Sequence, residues 1–154
     1  HSTGWGCVDG ATHTFNAMLG ITHRGMSTAL SALIHDEVYA EIIGDGVHVS
    51  DDALKLFFKA KPEDKVILIS DALPITYSDM KETVFADSKI YYDGDKATSD
   101  DGTIAGSTKL LPEIIKILGK KGMFKPQYIE NVYHYHGLDP IGEIEWDEDF
   151  NPRF

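Results

Sequence analysis

The stretch Val66-Ile-Leu-Ile-Ser-Asp71 is a continuous apolar run that ends on a carboxylate, and it decides the fold. A run without alternation is typical of a parallel strand that is covered on both faces. Upstream, Glu37 to Ile43 alternates like a second strand, and Ala53 to Ala60 has helical spacing after the N-cap signal Ser50-Asp-Asp52. Strand, helix and strand in this order predict a parallel β-α-β unit, and therefore an α/β fold.

The rest of the chain divides into segments with different patterns. Met26 to Ile34 has helical spacing, and helices are also predicted over Leu110 to Leu118 and Gln127 to Tyr135. Between them, short β-like pieces are broken by Asp-Gly turns, which indicates hairpin structure. We therefore predict strand–helix units over residues 1–82, a β-hairpin excursion with a pocket loop over residues 83–107, and terminal helices with an acidic tail over residues 108–154.

Composition excludes several functional classes. The formal net charge of −11 argues against a nucleic-acid surface, which would carry clustered lysine and arginine. No stretch is long and apolar enough to span a bilayer, and the first residues lack the basic and apolar regions of a secretory signal. The single cysteine, Cys7, is interpreted as a small apolar residue rather than a catalytic thiol, and it fits a reducing compartment. We therefore expect a cytoplasmic protein without nucleic-acid or membrane partners.

Polar residues at predicted strand ends form the candidate site. His13, His48 and Asp71 each close an apolar stretch, and His1 opens the chain. The carboxyl ends of barrel strands are where β/α barrels place their chemistry. Each of His1 and His13, taken alone, is more simply interpreted as a structural or surface residue. Zinc and ferrous iron both accept neutral imidazole, so their joint placement makes them candidate metal ligands. The pattern predicts a metal-assisted site.

The remaining candidates have alternative interpretations. Asp71 could accept a proton from water activated by a metal, or it could simply form the turn after its strand. His48 could ligate metal, polarise a substrate carbonyl, bind an anion, or be hydrogen-bonded within the rim. Arg24 lies in a loop bounded by glycine, where a guanidinium suits capture of a phosphate or carboxylate, although a surface arginine would have the same pattern.

Four blocks of sequence carry a family resemblance. They are Gly10-Ala-Thr-His-Thr-Phe-Asn-Ala-Met18, Gly44-Asp-Gly-Val-His-Val49, Ile67-Leu-Ile-Ser-Asp-Ala72 and Asp101-Gly-Thr-Ile-Ala-Gly-Ser107. In order and spacing they resemble the N-acetylglucosamine-6-phosphate deacetylases, which are metal-dependent β/α barrels of the amidohydrolase superfamily. The resemblance implies the carboxyl-terminal part of a TIM-like (β/α)8 barrel. It also implies removal of acetyl from N-acetylglucosamine 6-phosphate, giving glucosamine 6-phosphate and acetate.

The resemblance implies roles for individual residues. The site would hold one or two divalent ions, zinc or iron, and an amino-sugar phosphate, and the enzyme would be a homodimer. The Gly102 to Ser107 loop would line the substrate pocket. The implied roles are metal ligation by His1 and His13, catalysis by Asp71, and substrate binding by His48, Asn16, Ala17 and Arg24, the last across the dimer interface.

The sequence also departs from the family pattern. Arg24 is followed by Gly-Met-Ser instead of Glu-Pro-Gly, and Ser70 replaces a threonine. The family's glutamate ligand and its first four strands have no counterpart here. Because a barrel closes only with all eight strands, we expect the chain not to act alone as the complete enzyme. Two alternatives stay open: a related amidohydrolase with a different N-acyl or cyclic amide substrate, or an inactive fragment.

Overall fold

The computed structural model describes residues 8–153. These residues form eight strands, four α-helices and one short 3-10 turn. In chain order they are β1 (Gly10–Ala11), α1 (Thr28–Ile34), β2 (Tyr39–Ile43), α2 (Asp51–Ala60), the 3-10 turn (Glu63–Lys65), β3 (Val66–Ile69), β4 (Glu82–Phe85), β5 (Ser88–Tyr92), β6 (Ala97–Ser99), α3 (Leu111–Lys120), α4 (Gln127–Tyr135), β7 (Glu145–Trp146) and β8 (Pro152–Arg153). The chain is therefore an α/β protein, as the sequence predicts.

A three-stranded parallel sheet in the order β1-β2-β3 organises the first half of the chain. The central strand β2 pairs Ala40 with Ala11 of β1 and with Val66 of β3. Because the three strands run in the same direction, their carboxyl ends lie along one edge of the sheet, which we call the carboxyl edge. The loops that follow β1, β2 and β3 all leave from this edge.

The main hydrophobic core lies between one face of this sheet and the helices. Alternate residues of β2 and β3 supply the sheet side, and the helices supply the other side. Phe57 of α2 is fully buried, and its ring meets those of Phe15 and Phe58 edge to face, with centroids 6.3 and 5.5 Å away. The buried members are Leu33, Ala40, Ile42, Val49, Leu54, Phe57, Val66, Leu68, Ile114, Ile115, Leu118 and Tyr128.

Local polar contacts fix where the first two helices begin and end. Ser27 and Ser50 are the N-caps of α1 and α2, each accepting a hydrogen bond from a backbone N–H three residues later. The capping by Ser27 starts α1 at Thr28, so the helix begins two residues later than its apolar pattern predicts and leaves Met26 exposed. At the other end, the buried Lys61 ammonium donates to two carbonyl oxygens at the end of α1, at 2.8 and 2.6 Å. Burial lowers the pKa of Lys61.

A second sheet follows the parallel strands. Strands β4, β5 and β6 are antiparallel, and apart from Glu82 they lie in the segment 83–107 for which the sequence predicts hairpin structure. Ile90 and Ala97 of this sheet pack against Leu73 and Ile75 from the loop after β3, forming a small second core. This sheet therefore supports the loop that begins at Asp71. Within residues 8–153, no helix has the length and apolarity needed to cross a membrane.

Shortening Ile42 to valine should lower the free energy of unfolding by about 0.5–1.5 kcal/mol, because it removes one methylene from a close-packed site. Ile42 is fully buried in the central strand. The matched control is Ile34→Val, whose side chain is 63% exposed at the end of α1 and should change stability by less than about 0.5 kcal/mol. Urea unfolding of both variants measures the difference, and equal effects would contradict this description of the core.

Candidate functional site

The carboxyl edge brings three of the predicted site residues into adjacent loops. His13 follows β1 by two residues, His48 lies in the loop between β2 and α2, and Asp71 follows β3 by two residues. Asp71 is exposed, so its carboxylate is accessible from solvent. His1, predicted as a metal ligand, lies outside the described residues.

His13 has the hydrogen bonding expected of a ligand histidine. Its Nδ1 lies 3.1 Å from the backbone oxygen of Asn16, which can only accept, so Nδ1 carries the proton. In the neutral ring with this tautomer, Nε2 has a lone pair available to bind a cation. Histidines that bind metal commonly have their second nitrogen fixed in this way.

Unusual backbone angles occur at the same edge. His13, Phe15 and Ala17 have φ values of 33, 78 and 53°, and Asp71 has a φ of 50°. Side chains other than glycine rarely adopt this left-handed region, at a cost of about 1 kcal/mol or more each. Strain of this kind persists where the surrounding structure enforces it.

A buried ion pair occupies the loop after β2. The Nδ1 atom of His48 lies 2.8 Å from Oδ2 of Asp45, and the two side chains are only 6% and 2% exposed. On its other side, Nε2 of His48 lies 2.6 Å from the backbone oxygen of Ala105. Both neighbours are acceptors, so both ring nitrogens donate and His48 is an imidazolium.

The pKa shifts agree with this charge state. For Asp45, burial raises the pKa, but hydrogen bonds from His48, from the backbone of Val47 and His48, and from Ser107 outweigh it and hold the pKa far below its ordinary value. For His48, burial lowers the pKa, but the hydrogen bonds to Asp45 and Ala105 outweigh it, helped by the charges of Asp45 and Asp71. The pKa of His48 is therefore raised. The charge of Asp71 therefore contributes to the raised pKa of His48.

The other predicted substrate contacts lie in the long loop after β1. Asn16 is half-buried, and its side-chain amide donates to the backbone oxygens of His13 and Thr14 at 3.4 and 3.5 Å. Ala17 is exposed beside it. Arg24 is exposed too, and its guanidinium forms no ion pair with a side chain of residues 8–153. These residues are accessible, and the structure leaves their roles as predictions.

The carboxyl edge offers two side chains whose chemistry suits a metal ion. In the part of the chain from residue 8 to 153, no group of three or more His, Cys, Asp or Glu side chains could hold a metal ion. His13 and Asp71 are two donors that leave the same edge, and an imidazole with a carboxylate is a combination that zinc and ferrous iron accept. The described residues therefore supply two donors of the kinds that a divalent ion accepts, short of a complete ligand set.

The sequence did not predict the contact between Asp45 and Ser107 or that of Asp45 with His48. In the sequence, Asp45 stands within the block Gly44-Asp-Gly-Val-His-Val49 without a role of its own, but its carboxylate accepts from the backbone N–H of Val47 and of His48 at 2.9 and 3.0 Å. It also accepts from the Ser107 hydroxyl at 2.8 Å, across 62 positions of sequence. An aspartate three residues before a histidine in a strand–helix loop was the available signal. Nothing in the sequence alone pointed to Ser107 as its partner.

Comparison with known proteins finds similar amino-sugar phosphate deacetylases. The N-acetylglucosamine-6-phosphate deacetylase of Bacillus subtilis (strain 168) is 39% identical over 98 residues, which is 62% of this chain and 24% of that protein. The N-acetylgalactosamine-6-phosphate deacetylase of Shewanella sp. (strain ANA-3) is 32% identical over 100 residues, which is 65% of this chain and 25% of that protein. The chain thus spans about a quarter of the length of the curated relatives it matches.

Solved structures give the same result. The N-acetylglucosamine-6-phosphate deacetylase of Thermotoga maritima superposes with a TM-score of 0.84 and 26% identity, over 94% of this chain and 44% of that one. The enzyme of the same name from Pasteurella multocida gives a TM-score of 0.82 at 26% identity. No protein-family model matches this chain. The resemblance predicted from the four sequence blocks is therefore confirmed.

Proposed function

We propose that this chain forms the carboxyl-terminal part of a metal-dependent amide hydrolase. Its reaction would convert N-acetylglucosamine 6-phosphate and water into glucosamine 6-phosphate and acetate. The observation that carries the proposal is the position of His13, His48 and Asp71, which follow three neighbouring parallel strands at one edge. The similarity of this chain to N-acetylglucosamine-6-phosphate deacetylases supports the same reaction.

The proposal includes the architecture and setting of the whole protein. The three parallel strands would belong to a (β/α)8 barrel, and the antiparallel sheet would be an excursion after its last strand. Residues 1–82 would form the strand–helix units of the barrel, residues 83–107 the excursion, and residues 108–154 the terminal helices and acidic tail. The protein would act in the cytoplasm as a homodimer.

The catalytic residue would be Asp71. The proposed ligands, His1 and His13, would hold zinc or iron, which when bound polarises the amide carbonyl and lowers the pKa of water. Asp71 would take a proton from the attacking water as the water oxygen bonds to the carbonyl carbon. It would then give that proton to the amide nitrogen as the C–N bond breaks.

The remaining residues would bind and orient the substrate. His48 would contribute its positive charge beside the reacting groups, while Asn16 and Ala17 would contact the sugar phosphate. Arg24 would bind the phosphate itself, since an exposed guanidinium can donate two parallel hydrogen bonds to an anion.

The test is acetate release by a hybrid enzyme, in which this chain replaces the matching part of the Thermotoga maritima deacetylase. We expect acetate release that is lost after chelation of metal and restored by Zn²⁺, with the parent enzyme as the positive control. A folded hybrid that releases no acetate from any N-acetylhexosamine phosphate, with or without metal, would refute the proposal.

A second candidate substrate is N-acetylgalactosamine 6-phosphate. It is favoured by the similarity to the Shewanella enzyme, at 32% identity. The ratio of kcat/KM for the two epimers in the hybrid enzyme decides between them.

Replacing Arg24 with alanine should raise KM for the phosphorylated substrate by about 10- to 100-fold, because a charge-assisted hydrogen bond to phosphate contributes about 1.5–3 kcal/mol. The KM for N-acetylglucosamine without phosphate should stay unchanged. Steady-state kinetics of the hybrid enzyme measure both, with Lys59→Ala, an exposed cation of α2, as the matched control. Equal effects on both substrates would exclude phosphate binding by Arg24.

A further inference from the structure

We propose that Asp45 is a positioning residue which, together with the segment 105–107, fixes the His48 ring relative to Asp71. We call this segment the 105–107 brace. The value of such an arrangement for catalysis rests on the function proposed above. The contacts that define the brace stand independently of that function.

The brace pairs with the residues that follow β3. The Ser107 N–H donates to the backbone oxygen of Asp71 at 2.8 Å, and the Leu73 N–H donates to the backbone oxygen of Ser107 at 2.8 Å. These two bonds make Ser107 a parallel partner of Ala72. The backbone of Asp71 is therefore held by hydrogen bonds that come from the brace.

The same three residues also hold the loop after β2. The Ala105 oxygen accepts from the His48 ring at 2.6 Å, and the Ser107 hydroxyl donates to Asp45 at 2.8 Å. Asp45 in turn accepts from the other ring nitrogen of His48. Since both nitrogens are fixed, the ring cannot rotate or flip without breaking a hydrogen bond. His48 and Asp71 are thus oriented by one continuous set of contacts.

Glycine at the centre of the brace allows this close approach. A Cβ atom at Gly106 would lie 2.5 Å from the backbone oxygen of Asp71 and 3.1 Å from Cγ of Leu73. Any side chain at this position would push the brace away from Asp71. The fit therefore depends on the absence of a side chain.

The first test is NMR spectroscopy of the ring nitrogens of His48 in the full chain. In the wild type we expect both nitrogens to be protonated at pH 7. Asp45→Asn should lower the pKa of His48 by about 1–3 units, because it removes an opposite charge in direct contact. The matched control is Asp93→Asn, since Asp93 accepts two backbone N–H bonds in a similar turn but contacts no histidine among residues 8–153. Ser107→Ala removes only the hydrogen bond to Asp45 and should lower the pKa of His48 by a smaller amount. If Asp45→Asn unfolds the chain, this variant still tests the proposal.

The second test follows the Asp71 side of the brace. Gly106→Ala should lower kcat of the hybrid enzyme by about 100-fold, as expected for a displacement of about 1 Å, with little change in KM. In the full chain it should also remove hydrogen-exchange protection of the Ser107 amide. An unchanged His48 titration in Asp45→Asn, or a protected Ser107 amide in Gly106→Ala, would overturn the proposal. A hybrid enzyme inactive without any of these substitutions would refute the proposed function, while the NMR and exchange results would still decide the role of the brace.

Discussion

Replacing Asp71 with asparagine is expected to lower kcat for acetate release by about 100- to 10,000-fold, the usual contribution of a general acid–base group. The amide matches the carboxylate in size but cannot take up a proton at neutral pH. The fold should be unaffected because asparagine tolerates the left-handed conformation that Asp71 adopts, with a φ of 50°. Steady-state kinetics of the hybrid enzyme measure this effect, and KM should change little.

The matched control for Asp71 is Asp79→Asn. Asp79 is an exposed aspartate in the loop after the same strand, and its substitution should leave kcat within a factor of two or so of the unsubstituted hybrid. If Asp71→Asn keeps more than half of the activity, another group moves the proton and the mechanism is wrong.

Replacing Asp45 with alanine is expected to lower the free energy of unfolding by about 3–5 kcal/mol, the usual result of removing one partner of a buried ion pair. The substitution would leave the His48 imidazolium without its counter-ion and the Ser107 hydroxyl without its acceptor. Urea unfolding at pH 6 measures the loss. Asp79→Ala, which removes an exposed carboxylate, should cost less than about 0.5 kcal/mol.

The pH dependence of this loss can be stated in advance. The pKa of Asp45 is lowered by folding, so its contribution is present above the ordinary value of 3.8 and is lost as the pH falls through the folded value. The pKa of His48 is raised by folding, so its contribution is complete below the ordinary value of 6.5 and is lost as the pH rises through the folded value. The difference between wild type and Asp45→Ala should therefore be largest between these two ordinary values, and it should decrease both below the value for Asp45 and above the value for His48. A difference that stays constant from pH 4 to 9 would contradict the ion pair.

Local signals made the parallel sheet and its helices predictable. The apolar run at Val66 and the serine at Ser50 act through neighbouring residues, so the sequence contains what is needed to place β3 and the start of α2. The start of α1 was misplaced because the apolar pattern extends to Met26, while the capping hydrogen bond of Ser27 sets the first turn. Where a side-chain cap and an apolar pattern disagree, the cap has determined the boundary.

The candidate site was predictable as a set of positions and not as a set of contacts. Strand ends identified His13, His48 and Asp71, because the carboxyl edge follows from the order of strands and helices. The tautomer of His13 and the double donation by His48 depend on carbonyl oxygens that only the folded backbone brings near. The pattern of residues along the chain therefore does not predict these contacts.

The hydrogen bond from Ser107 to Asp45 joins residues that lie 62 positions apart, so the two are synthesised at different times. Loops of this length close late because their entropic cost comes before any contact compensates it. A ribosome that has released residues only as far as Ile104 would expose a nascent chain with all three parallel strands and no fixed His48 ring. Maturation of the site would then lag behind assembly of the sheet that carries it.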